Sequence, residues 1–153
     1  MKHLPVTEWR AQLGQLRQGT EVVVVHYHRQ PAALMVPIPP LHWQDAGGFV
    51  KQIMNIRDEY LQPPHTERPH PWLQHAHDPQ SMPIEDARRG SALLFGIVMR
   101  NVPVVLTFYE YAGALMMPLP PGLPDAKLQE IGERIEAILR SSDITSLSGG
   151  WIT

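Results

Sequence analysis

The sequence contains no cysteine, so disulfides, thiolate-ligated metals and thiol nucleophiles are all excluded. This absence suits a reducing cytoplasm, where we expect the protein to act. Long apolar runs are also missing: the longest, such as residues 93–99, fall far short of the ~20 residues that cross a bilayer. Residues 1–10 lack the apolar stretch of a signal peptide. We therefore expect a cytoplasmic protein without membrane contact.

An excess of positive charge is lacking too. The 13 lysines and arginines are outnumbered by 15 acidic residues, for a net charge of −2. Bulk charge alone would not hold such a chain on nucleic acid, although a local basic patch is compatible with it. The sequence also has no glycine-rich phosphate loop, serine-nucleophile motif or HExxH motif. We expect a protein that is not an enzyme and needs no cofactor.

What the sequence does contain is an internal repeat. Residues 21–40, EVVVVHYHRQPAALMVPIPP, align with residues 102–121, VPVVLTFYEYAGALMMPLPP, at a constant offset of 81. Eight of the twenty positions are identical, where unrelated sequences give about one or two. Residues 5–10 also match residues 83–88 at an offset of 78. Two copies are too few for a solenoid and indicate a homodimer fused into one chain.

Each copy is predicted to fold in the order strand, helix, strand, strand, helix. In the first copy, the strands are predicted at 3–6, 21–29 and 32–38, and the helices at 7–18, with Thr7 as N-cap, and 43–61. In the second copy, the strands are predicted at 81–84, 104–111 and 112–119, and the helices at 85–101 and from 124 to Arg140. The helical spacing would place both apolar stripes of a copy against one face of the sheet.

Two segments fall outside this pattern. Residues 62–81 are rich in proline and histidine, have no hydrophobic period, and are interpreted as a linker. Residues 141–153 are small and polar apart from a few apolar side chains, and are interpreted as a flexible tail. The predicted organisation is therefore a first repeat at 1–61, the linker at 62–81, a second repeat at 82–140 and the tail at 141–153.

The residues within the repeats carry a family resemblance. A short strand, a helix opening on Thr-Glu-x-Arg, and a valine-rich hairpin ending Ala-x-Leu/Met-x-Pro resemble the Phd/YefM (prevent-host-death) antitoxin family. The matching positions of the first copy are Thr7 to Arg10, Gly19, Val22 to Val25, Arg29, Pro31, Ala33, Val36 and Pro37. Those of the second copy are Glu85 to Arg88, Val104, Val105, Ala114 and Pro118. The two matches together span roughly half of the chain.

The resemblance implies a fold and a function. Family members are dimers with a shared sheet and helices on one side, they bind palindromic operator DNA, and a C-terminal segment wraps a toxin. This implies an α+β fold, with two Phd/YefM-like halves forming a pseudo-two-fold dimer around a continuous antiparallel sheet. It also implies a DNA-binding transcriptional regulator, or an antitoxin-type protein that neutralises a partner such as a toxin.

The resemblance also suggests which residues bind. The expected DNA-binding residues are basic ones of the first helix and hairpin: Arg10, His28, Arg29, Arg88 and Arg89. The second hairpin departs from the family because its tip reads Tyr109-Glu110-Tyr111 and lacks a basic residue. A glutamate there would repel phosphate, so the second copy is expected to contribute less to DNA binding.

The alternative is an interaction subunit that kept the fold as a scaffold and lost DNA binding. DNA binding predicts a basic face, whereas a scaffold predicts an exposed apolar patch. The expected partner-binding residues are aromatic or apolar: Tyr109, Tyr111, Ile144, Leu147, Trp151 and Ile152. Ordinary packing at Tyr109 and Tyr111, or a frayed terminus at Trp151, would also account for them. Further self-association of the chain is left open.

Histidines offer a third hypothesis, metal binding. His26 and His28 are predicted on one strand face, a geometry compatible with one ion. The linker adds His65, His70, His75, His77 and Asp78, although their spacing matches no known site. A solvated surface pair and a compositional bias explain both groups more simply, so we expect no metal.

Overall fold

The computed structural model describes residues 1–62, 68, 70–74 and 78–152, and the fold is α+β. Its strands are β1 (Lys2–Pro5), β2 (Val23–Tyr27), β3 (Gln30–Pro37), β4 (Gln80–Pro83), β5 (Val104–Phe108) and β6 (Tyr111–Pro118). Its helices are α1 (Val6–Leu16), α2 (Ala46–Leu61), α3 (Pro71–Gln74), α4 (Ile84–Arg89), α5 (Ser91–Val98) and α6 (Asp125–Ile152). A 3-10 helix, Pro40–Asp45, precedes α2.

The strands form one six-stranded sheet in the order β1-β2-β3-β6-β5-β4. The central pairs are antiparallel, but β1 runs parallel to β2 and β4 runs parallel to β5. The expectation of a wholly antiparallel sheet is therefore wrong at both edges. The reason is connectivity: a helical crossover joins each edge strand to its neighbour, and a crossover returns the chain in the same direction.

The two sides of the sheet have matching registers. Lys2 pairs with Val23 on one edge, and Gln80 pairs with Val104 on the other. The β2–β3 hairpin is irregular between residues 25 and 26, and the β5–β6 hairpin between residues 106 and 107. At the centre, Met35 of β3 faces Met116 of β6. Strands from both repeated segments therefore share one sheet.

Helices cover both faces of this sheet, which corrects the expectation that they cover one. On the first face, α1, α4 and α5 pack over Val23, Val25, Met35 and Met116. On the second face, the 3-10 helix, α2 and α6 pack over Val24, Leu34, Leu115 and Met117. The central strands are apolar at successive positions, so side chains on both faces must be removed from water.

Several helix boundaries differ from the predicted ones. Helix α1 begins at Val6, with Pro5 as N-cap and no side-chain cap, so Thr7 does not cap it. The single helix predicted at 85–101 is two helices, because Gly90 between α4 and α5 is extended, with φ of −161°. Part of the predicted linker forms α3 and the start of β4.

Helix α6 continues to Ile152, past Arg140, where the sequence pattern ended it. No proline or glycine interrupts residues 140–148, so nothing in the local sequence stops the helix there. The segment predicted as a flexible tail therefore continues α6, the helix that packs on the second face of the sheet, up to Ile152.

Candidate interaction surfaces

The two helix arginines expected to bind DNA meet where α1 packs against α4. The Nε of Arg10 donates to the backbone carbonyl of Arg88 at 2.9 Å. Carbonyls in the last turn of a helix lack intrahelical donors, and a cation there also offsets the helix dipole. Arg10 thus serves as a C-terminal cap for α4. The Nη1 of Arg88 in turn donates to Glu85 at 3.0 Å.

The surface around these arginines carries charges of both signs. Arg89 is exposed, and Arg88 is half-buried. Glu8, Glu85 and Asp86 are exposed in the first turns of α1 and α4. The acidic groups offset the positive potential that phosphate contacts would require. The face formed by α1 and α4 is therefore mixed in charge.

The first hairpin turn is polar and exposed. His28 and Arg29 have φ values of 53° and 66°, as both central residues of a tight I′-type hairpin turn do. Because β3 and β6 are antiparallel, the two hairpin turns lie at opposite ends of the sheet. The structure therefore does not place Arg29 beside the second hairpin.

His28 lies in this turn, beyond the end of β2, so the prediction that it shares a strand face with His26 is wrong. The Nε2 of His26 instead lies 3.0 Å from the Nδ1 of His3 on the neighbouring edge strand. Burial lowers the pKa of His26, nearby His3 lowers it further, and Asp125 partly opposes both effects. The strand face thus holds a histidine pair in which a positive charge on His26 is disfavoured.

The second hairpin turn exposes aromatic side chains. Tyr109, with φ of 55°, is 86% exposed, and Tyr111 is 52% exposed. The ring of Tyr111 lies 4.7 Å from that of Trp43 in the 3-10 helix. We call Trp43, Tyr109 and Tyr111 the aromatic patch; with Glu110 they line an open groove of about 810 Å³. Tyrosine and tryptophan are enriched at the cores of protein–protein interfaces.

The C-terminal part of α6 begins close to the aromatic patch. The Nε2 of His42 lies 3.0 Å from the Oγ of Ser142, which ties α6 to the 3-10 helix that carries Trp43. The expected partner-binding residues of the tail follow along this helix: Ile144, Leu147, Trp151 and Ile152. Their side chains lie outside the described residues.

Sequence reasoning missed a buried arginine on α2. Arg57 is 2% exposed, and its Nη1 donates to the Oδ1 of Asn101 at 2.8 Å and to the carbonyl of Pro118 at 3.0 Å. Its Nε and Nη2 both donate to Asp58. Burial lowers the pKa of Arg57, and Asp58 acts in the opposite direction. The signal in the sequence was its position four residues after Ile53, on the apolar face of the helix.

The same network reaches the linker. The Nδ2 of Asn101 donates to the carbonyl of Trp72 in α3 at 2.8 Å, and the guanidinium of Arg57 lies 5.5 Å from the Trp72 ring. Asn101 has φ of 64°, a conformation that asparagine tolerates better than most residues. A cavity of about 450 Å³ lies beside this network. Arg57 and Asn101 thus link α3 to α2 and to the end of β6.

Within the described part of the chain, no group of three or more histidine, aspartate or glutamate residues is placed to hold a metal ion. Three of the linker candidates, His65, His75 and His77, lie outside that part, and His70 sits edge-on to Trp72. No described helix is both long and apolar enough to cross a membrane.

Comparison with known proteins returns no relative: no protein-family model, curated protein or solved structure matches this chain. The Phd/YefM resemblance therefore rests on the residues that carry it in the sequence.

Proposed function

We propose that this protein is a protein-interaction module made of two fused Phd/YefM-like halves, and that it binds a partner protein through the aromatic patch. The shared sheet, the equal order of the three strands in each half and the matching edge registers support two related halves. So does the central pair, since Met35 faces Met116, its own counterpart at the repeat offset. A two-fold axis relating the halves requires such a self-pairing.

The exposure of the aromatic patch is the observation that carries the proposal. At the repeat offset, Tyr109 and Tyr111 correspond to His28 and Gln30, which are polar and exposed. The fold therefore forms this hairpin turn without aromatic residues, and packing within the chain does not account for Tyr109. Leu41, which is 51% exposed two residues before Trp43, enlarges the apolar area.

If the protein is of the antitoxin type, the partner to test is the product of the neighbouring gene. The two proteins should co-purify after co-expression, and their affinity can be measured by titration calorimetry. Tyr109→Asn combined with Tyr111→Thr removes both rings while keeping residues suited to a positive φ and to a strand. The matched control is His28→Asn combined with Gln30→Thr in the first hairpin.

We expect the second-hairpin variant to bind at least about tenfold more weakly, since the interface residues that cost about 2 kcal/mol or more on truncation are enriched in tyrosine. The first-hairpin variant should bind like the unmodified chain. Equal binding by all three proteins would show that the partner uses another surface.

DNA binding is the second candidate function. Its specific support is that Arg10 and Arg88, 78 residues apart in the repeat, meet on one face, as paired basic positions of a dimer would. Arg29 and Arg89 are exposed. A gel shift with operator DNA from the upstream region, repeated across salt concentrations, tests it. Binding that is insensitive to both Arg29→Gln and Arg89→Gln would remove this candidate.

A further inference from the structure

Arg17, the residue that follows α1, has an unusual environment. Its guanidinium carbon lies 3.7 Å from the centroid of the Phe108 ring. Its Nε is buried and has no hydrogen-bond partner, and its terminal nitrogens have no hydrogen-bond or ion-pair partner within the described residues. The other half-buried or buried arginines, Arg10, Arg57 and Arg88, all donate to protein oxygens. A buried donor without an acceptor destabilises a fold, so it calls for an explanation.

Packing on the second hairpin does not supply that explanation. The counterpart of Phe108 at the repeat offset is Tyr27, and the ring stacked on Tyr27 is that of Phe95, at 4.7 Å and 7° between planes. An apolar aromatic side chain thus covers this position in one half of the molecule. The guanidinium in the other half adds a fork of hydrogen-bond donors that the packing does not use.

A cavity of about 300 Å³ adjoins Arg17. Its walls include Ile38, Trp43, Leu139 and the prolines at 37, 39 and 40. Among the described residues that line it, Arg17 is the one charged residue. A volume of this size suits a small ligand or one side chain of a larger one. Gln18 and Thr20 also line it. The cavity therefore offers mainly apolar walls, two neutral polar residues and a single, unpaired positive charge.

We propose that this cavity binds the carboxylate of a ligand with a small apolar body, and that Arg17 recognises the carboxylate. A planar guanidinium matches the two oxygens of a carboxylate with parallel hydrogen bonds, and stacking on Phe108 holds it in place beforehand. One positive charge is balanced by a monoanion. The carboxylate can belong to a free organic acid or to the C-terminus of a peptide. The proposal does not rest on partner binding, although Pro40 and Trp43 line both the cavity and the groove of the aromatic patch.

The test uses the full chain and two pairs of probes. The first pair is 3-phenylpropionate and the neutral 3-phenylpropionamide; the second is the peptide acetyl-Ala-Ala-Phe with a free or an amidated C-terminus. Binding is followed by NMR through the Nε–H resonance of Arg17, identified as the signal that Arg17→Gln removes. Dissociation constants come from calorimetry on the unmodified chain, on Arg17→Gln and on the control Arg100→Gln, since Arg100 is exposed and does not line the cavity.

We expect at least one carboxylate probe to shift the Arg17 resonance, with its amide binding at least about tenfold more weakly. Arg17→Gln should weaken binding to a similar extent, and Arg100→Gln should leave it unchanged. The tighter of the two carboxylates identifies the source of the natural ligand. The proposal is overturned if neither carboxylate shifts the resonance up to about 20 mM, a limit that excludes even weak binding. It is also overturned if the amide and the carboxylate bind equally. Because this comparison uses the unmodified chain, it remains valid if Arg17→Gln does not fold.

Discussion

Replacing Arg57 by methionine should destabilise the fold substantially, although methionine has a similar length and is apolar. The guanidinium is 2% exposed and donates to Asn101 and to the carbonyl of Pro118. Arg57→Met removes the donor that the Oδ1 of Asn101 and the carbonyl of Pro118 share, and each buried acceptor that loses a hydrogen bond costs about 1–3 kcal/mol. Asp58 has a side chain that is 33% exposed, so water can replace part of its lost contact. Relief from burying a charge offsets some of the loss, and we expect a net destabilisation of about 2–5 kcal/mol.

Asn101→Gly provides the second corner of a double-mutant cycle. Glycine keeps the φ of 64° without strain and removes the hydrogen bonds to Arg57 and to the carbonyl of Trp72. If Arg57 and Asn101 act through each other, the double variant should be less destabilised than the sum of the single ones, by about 1–3 kcal/mol. Asn101→Ala should be worse than Asn101→Gly by about 1 kcal/mol, because alanine is disfavoured at this φ.

Urea unfolding measures these differences as shifts of the midpoint at constant slope. Arg89→Met is the control, since Arg89 is exposed, and it should change stability by no more than about 0.5 kcal/mol. If Arg57→Met were as mild as this control, or if the cycle were additive, the network would not stabilise the packing of α2 and α3 beside β6.

Three further predictions concern pH, DNA and the end of the chain. Since burial lowers the pKa of folded His26 below its unfolded value of 6.5, the unfolded state takes up more protons. Stability should therefore fall as pH drops through 6.5 towards the folded pKa. His26→Gln should flatten the dependence of the urea midpoint on pH in this range, and an unchanged dependence would refute this prediction. Arg29→Ala should weaken operator binding by about 1–3 kcal/mol if it contacts a base edge, with no change in stability. Arg10→Ala should also lower the urea midpoint, since Arg10 caps α4, so its gel shift is interpretable only beside that measurement. A chain truncated after Arg140 should recover less partner in a pull-down than the full chain, and equal recovery would exclude residues 141–153 from the binding surface.

The strands and hairpins could be predicted from the sequence because their signals are local. Alternation placed Val23 and Val25 on one face and Val24 on the other, as found. The coverage of both faces was missed because the apolar stripe of a helix indicates which of its residues are buried, but not which face of the sheet buries them. The break at Gly90 was missed because residues 85–101 were predicted as one helix, and a single glycine within a helical pattern does not require a break.

The candidate sites, too, could be predicted only where their signals are local in the sequence. The contrast between His28-Arg29 and Tyr109-Glu110 could be read directly, since a two-residue turn exposes its side chains wherever the hairpin lies. The contact between Arg10 and the carbonyl of Arg88 depends on two helices that are distant in sequence, so spacing alone could not predict it. Arg17 was missed for the same reason, because Phe108 and the cavity come from other parts of the chain.

Hydrogen–deuterium exchange on the complex with the neighbouring gene's product tests the central claim most directly. Binding through the aromatic patch predicts slower exchange at residues 109–111 and 41–44, with residues 28–30 at the opposite end of the sheet unchanged. Slower exchange confined to residues 28–30, or to α1 and α4, with none at residues 109–111, would contradict the account.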